Sequence, residues 1–141
     1  MILSAQQLFS DKQAITVTAL SENVIDRGAT GTPYGAQAPL NADTGLGSKV
    51  PLLVQVVEDF AGLTSLTVHI ATGDDETLGT DVVSQTIEAA DLVAGKQIAL
   101  DCLPNQLKQF IGVNYEVDGT ATAGSVTAAI TMGNQTNLTG A

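Results

Sequence analysis

Apolar and polar residues alternate with period two along most of the chain, and the 3.6-residue spacing of an amphipathic helix is nearly absent. The stretch "AITVTAL" (14–20) puts Ile15, Val17 and Ala19 on one face and Thr16 and Thr18 on the other. "VPLLVQVVE" (50–58) is denser, the pattern of a strand covered on both sides. "LTSLTVHIA" (63–71) sets Leu66, Val68 and Ile70 against Thr67 and His69, and "DVVSQTIEA" (81–89) and "KQIALDCL" (96–103) follow. "FIGVNYEVDGTATAGSVTAAITM" (110–132) reads as a β-hairpin, two alternating runs around a Gly/Thr/Ala turn. Only "IEAADLVAG" (87–95) suggests a helical turn, ending at Gly95. About seven or eight short strands with turn signals between them predict an antiparallel all-β sandwich or barrel.

Two segments depart from this pattern. Residues 28–49 carry Pro33, Pro39 and several glycines and predict a long surface loop, a kind of segment that in compact domains usually serves a function. Tyr34, Leu40 and Leu46 along it suggest that it lies against the body or a neighbour. Residues 133–141 are polar and predict a flexible C-terminal tail. With 141 residues and no internal repeat, the expectation is one domain spanning 1–141.

Composition narrows the function. Fifteen acidic residues face five basic ones, for a formal net charge of −10. The bases Lys12, Arg27, Lys49, Lys96 and Lys108 are scattered, so neither nucleic acid nor an anionic membrane is an expected partner. No apolar run approaches the length of a membrane helix, and no secretory leader is evident at the start. The single cysteine, Cys102, lies in a strand pattern and reads as a buried thiol.

Candidate chemistry is sparse. His69 is the sole histidine and reads as an ordinary residue on an exposed sheet face. No nucleophilic elbow or triad spacing is present, and "GLGSK" (45–49) lacks the order of a phosphate loop. The acidic run "GDDETLGTD" (73–81) offers hard oxygens to Ca²⁺, but its spacing is not that of a calcium loop; a solvated turn is favoured. Trp is absent and aromatic residues are few, which argues against a sugar-stacking platform, and Tyr115 falls on the apolar face of its strand. The expectation is a protein with no catalytic residues, no cofactor and no metal.

Several segments together carry a resemblance: "MILSAQQLFSDKQAITVTA", "SENVIDRGATGTPYGAQAPL", "VPLLVQVVEDFAGLTSLTVHIATGDDETL", "ADLVAGKQIALDCLP" and "FIGVNYEVDGTATAGSVTAAITMG". In this order, over nearly the whole chain, the sequence resembles the jelly-roll capsid cement (decoration) proteins of tailed bacteriophages. The resemblance implies a jelly-roll β-sandwich of about eight strands. It also implies a place on the outer capsid surface of the virion, after assembly in the host cytoplasm. The expected partners are the phage major capsid protein, whose neighbouring subunits it would staple, and further copies of itself as a dimer or trimer. Candidate contacts are Met1, Ile2 and Leu3 at the N-terminus, Tyr34, Leu40 and Leu46 in the long loop, and Arg27 and Lys49 flanking it. The alternative for each is packing onto the protein's own body. The alternative function is a ligand- or carbohydrate-binding accessory module of the virion.

Overall fold

The computed structural model describes residues 3–41 and 48–132. Its strands are β1 (Leu8–Ala14), β2 (Ala19–Leu20), β3 (Ile25–Asp26), β4 (Thr30–Gly31), β5 (Leu40–Asn41), β6 (Val50–Gly73), β7 (Thr80–Glu88), β8 (Gln97–Cys102) and β9 (Phe110–Ile130). Two of these, β6 and β9, run through both layers of a sandwich and pair with each other along their whole length. In the first layer the order is β8, residues 50–56 of β6, residues 125–130 of β9, then β1. In the second it is β7, residues 65–73 of β6, residues 110–118 of β9, then β2 and β3.

This order has a simple origin. The chain forms one long antiparallel ribbon with its tip at residues 74–79, so that β7 pairs the second half of β6 and β8 the first. Further from the tip, β2 and β3 pair the first half of β9, and β1 its second half. Rolling the ribbon brings β6 beside β9 and gives two layers of four strand positions each, β2 and β3 sharing one edge, a jelly roll of eight positions. The expected all-β sandwich is therefore the fold.

The expected 110–132 hairpin is not formed. Its two runs are halves of β9, and each pairs with β6 rather than with the other. The runs at 50–58 and 63–71 likewise belong to one strand. Between the halves the β6–β9 register slips repeatedly, from Val56 to Ser65, and both strands bend from one layer into the other. Gly62 and Gly124 make the bend possible. Each has a positive φ, at +87° and +136°, and a Cβ on Gly62 would meet the Thr120 carbonyl oxygen at 2.5 Å. A Cβ on Gly124 would lie 2.3 Å from the ring of Phe60, which is itself buried.

The 14–20 run is also redrawn. Strand β1 ends at Ala14, Ile15 turns into the core with no exposed surface, and Val17 is exposed. Ile15 N–H donates to the Gly124 carbonyl, which ties this turn to the bend of β9.

The core lies between the layers: Val54, Val56, Ile98 and Val126 from the first meet Leu66, Val68, Ile70, Ile111 and Val113 from the second. Tyr115 is fully buried, as its place in the pattern predicts, and Cys102 is a buried thiol. Side chains stitch the β1 edge of one layer to the β2–β3 edge of the other. Ser10 Oγ lies 2.8 Å from the Tyr115 hydroxyl and donates to Gln13 Oε1 at 2.7 Å. Gln13 Nε2 donates to the Leu20 carbonyl at 2.8 Å, and its Oε1 accepts from Glu22 N–H at 3.1 Å. The buried Ser10–Tyr115 pairing satisfies hydroxyls that are costly to leave without partners in the core. Burial pushes the Tyr115 phenol well above the ordinary tyrosine range.

Two predictions follow from this packing. Gly124→Ala puts a methyl group against the Phe60 ring at an unfavourable φ and destabilises the fold by about 2–4 kcal/mol, read as a lowered urea midpoint. For Tyr115 the native state keeps a proton that the unfolded chain releases above about pH 10, so its contribution is constant below that pH and is lost above it. Tyr115→Phe costs about 1 kcal/mol at neutral pH and flattens the loss of stability in alkali, measured by urea unfolding as a function of pH.

Candidate functional site

The long loop is not structureless. Thr30 pairs with Asn41 and Gly31 with Leu40, so β4 and β5 form a small hairpin arm outside the main sheet. At its tip Ala36 N–H donates to the Pro33 carbonyl at 3.0 Å, with Gly35 at φ +83°. This is the geometry of a turn that needs glycine at its third position, and it leaves Tyr34 at the corner. Tyr34 has a relative exposure of 109 %, so nothing among the described residues covers it; Leu40 is 60 % exposed. An open groove of about 620 Å³ separates the arm from the body, lined by Ile25, Ala29, Pro33 and Leu40 with Gln6 and Asn41.

The base of the arm is fastened. Arg27 N–H donates to the Gln109 carbonyl, and its guanidinium Nη1 donates to the carbonyls of Leu107 at 2.6 Å and Lys108 at 3.1 Å. Asp26 Oδ1 accepts from Gly28 N–H and from the Gln109 amide. Arg27 is thus engaged with its own body, anchoring the arm to the 103–109 segment. Lys49 is largely exposed, with its ammonium 3.5 Å from Asp101. Leu3 is 38 % exposed. Met1, Ile2 and Leu46, and the tail at 133–141, lie outside the described residues. Of the candidates that are described, Tyr34 and Leu40 share the arm and Arg27 holds its root.

The acidic run forms the turn between β6 and β7. Asp75 accepts from the N–H and hydroxyl of Thr77, and these hydrogen bonds hold its carboxyl below the usual carboxylate range. Asp74 pairs with Lys108 at 2.7 Å. The turn sends Leu78, at φ 52°, back into the core, where its Cδ1 occupies the place a side chain on Gly112 would take. Among the described residues no group of acidic, histidine or cysteine side chains has the arrangement of a metal site.

His69 is less exposed than its alternating position suggests, because both neighbouring strands supply carboxylates over it. Its side chain is 13 % exposed, with Nδ1 3.4 Å from Asp81 of β7 and Nε2 3.2 Å from Glu116 of β9. Beside it Thr67 of β6 and Thr86 of β7 join hydroxyls at 2.8 Å. The cluster ties three strands together on the outer face of the second layer. Sequence reading gave His69 no partners because Asp81 and Glu116 are distant in the chain and meet it only through register.

A rigid antiparallel jelly roll with a fastened, aromatic-tipped arm is thus the class of domain that the fold and this site define. The family model for Bbp16 matches residues 9–130, and the chain belongs to the Bbp16 family. Bbp16 is a Bordetella phage protein, and this membership marks the chain as a phage structural protein. A comparison with curated proteins gave no match. No helix among the described residues is long and apolar enough to cross a membrane.

The anchoring role of Arg27 is directly measurable. Arg27→Met leaves the Leu107 and Lys108 carbonyls without their charged donor and lowers stability by about 1–3 kcal/mol, read from the denaturant midpoint.

Proposed function

We propose that the protein is a capsid cement protein without catalytic activity, which binds the outside of an assembled phage shell and staples neighbouring major coat subunits. The observation that carries this reading is Tyr34. Solvent-exposed aromatic side chains at the tip of a fastened arm are costly to leave uncovered and are enriched where proteins meet. Membership in a phage structural family supplies the context. A stiff sandwich that presents such an arm can touch more than one subunit, and each added contact then acts at high effective concentration. The acidic balance suits a position away from packaged DNA. Copies can also associate on the shell as dimers or trimers.

Mixing the purified protein with shells that lack it tests this reading. Bound protein should raise the temperature or denaturant concentration at which the shells break. Deletion of residues 31–46 should abolish the binding while leaving the cooperative unfolding of the domain in place. Undiminished binding by that deletion variant would remove the arm from the account.

A further inference from the structure

We infer that the protein docks end-on, with the arm end of the sandwich against the coat through apolar contacts and the bend end facing away. This inference rests on the cement reading and adds to it which surface is used and by what chemistry.

Antiparallel winding sorts the connections between the two ends. The turn after β1, the bends of β6 and β9 and the β7–β8 connection all fall at one end. Hydrogen bonds join them there: Ile15 N–H to Gly124, Gly95 N–H to Val56 and Phe60 N–H to Leu92. The arm, the 74–79 turn and the 103–109 segment fall at the other end, together with the start of β1 and the end of β9. Contacts join these as well, through Arg27 to Leu107 and Lys108, Lys108 to Asp74, and Thr131 N–H to Pro51.

The two ends differ in surface chemistry. Among the described residues, Leu3, Tyr34, Leu40, Leu103 and Met132 are the exposed large apolar side chains of the arm end, and they come from four separate stretches of sequence. The basic groups there are engaged locally. Lys49 faces Asp101, Lys108 faces Asp74, and Arg27 donates to backbone carbonyls. That end also carries exposed carboxylates, but Asp74 and Asp101 face these lysines and Asp75 accepts from Thr77. Apart from Glu76, its charges among the described residues are thus met locally, and what it offers a partner is mainly apolar area. At the bend end Glu58, Asp59, Glu88, Asp91 and Asp118 are all exposed, against one base, Lys96. Val17, Val57 and Val93 are exposed there too; Val57 and Val93 each lie within two residues of one of these carboxylates, and Val17 lies next to Thr18, which accepts from Val117 N–H beside Asp118. Burying such a surface would desolvate like charges with no counter-charge of its own, whereas pointing it into solvent costs nothing. Neighbouring copies on a shell also repel one another least when these ends stay in solvent.

The test is co-sedimentation of the full chain with cement-free shells of its own phage, at low and high salt. Three proteins are compared: wild type, Tyr34→Ser with Leu40→Ser, and Glu58→Lys with Asp91→Lys. All four positions are exposed, and circular dichroism confirms the fold of each variant. The arm-end pair should weaken binding by about tenfold or more, as for hot-spot side chains. The bend-end pair should bind within about twofold of wild type, and wild-type binding should change little with salt, since apolar contacts are not screened. A wild type that does not bind overturns the cement reading itself. A wild type that binds, with loss in the bend-end variant and none in the arm-end variant, or with steep salt dependence, overturns end-on apolar docking alone.

Discussion

The pairing of β6 with β9 is the constraint on which the rest of the molecule depends. These two strands supply the centre of both layers, and every other strand of the main sheet hydrogen-bonds to one of them. For a pair of this length to serve two layers, both strands must bend at the same place. Gly62 and Gly124 provide backbone conformations that other residues resist, and the Phe60 ring fills the space that Gly124 leaves. The bend then fixes which connections lie at each end of the sandwich. It thereby sets the arm, the 103–109 segment and the two ends of the described chain on one side and a fringe of carboxylates on the other.

Much of this was legible in the sequence, for a reason that also marks the limit. Period-two alternation reports which residues face the core, and it correctly placed Leu66, Val68, Ile70, Ile111, Val113 and Tyr115 inside. It does not report which strand pairs with which. Gly119 and Gly124 announce positive φ angles, and a hairpin turn and a bulged bend need these equally. The β6 partners of β9 lie between 37 residues (Gly73 with Phe110) and 78 residues (Leu52 with Ile130) away in sequence, beyond any local signal. The same gap explains Ile15 and Val17: alternation put both on one face, but a turn at Ile15 buries the first and exposes the second.

The site was legible in part. Proline, glycine and an isolated tyrosine marked 28–49 as unusual, and Tyr34 and Leu40 proved to be exposed on an arm. The arm's own pairing, Thr30 with Asn41, is local, but its seating through Arg27 on the 103–109 carbonyls depended on contacts across about 80 residues of chain. Arg27 and Lys49 stood as candidate partner contacts, with packing onto the protein's own body as the alternative for each. In the folded chain Arg27 serves as the arm's anchor, and Lys49 has a carboxylate beside it. The acidic run at 73–81 resolves into a turn whose carboxylates hold its own backbone and Lys108, and whose buried element is Leu78.

The central claim is that a rigid jelly roll presents one end to a phage shell. The most direct measurement is a cryo-electron microscopy map of shells decorated with the purified protein. The account predicts density for the sandwich standing on the outer surface, with Tyr34 and Leu40 at the coat and the Glu58–Asp91 end in solvent. Decorated shells in which the bend end touches the coat, or in which the arm is free, would contradict it.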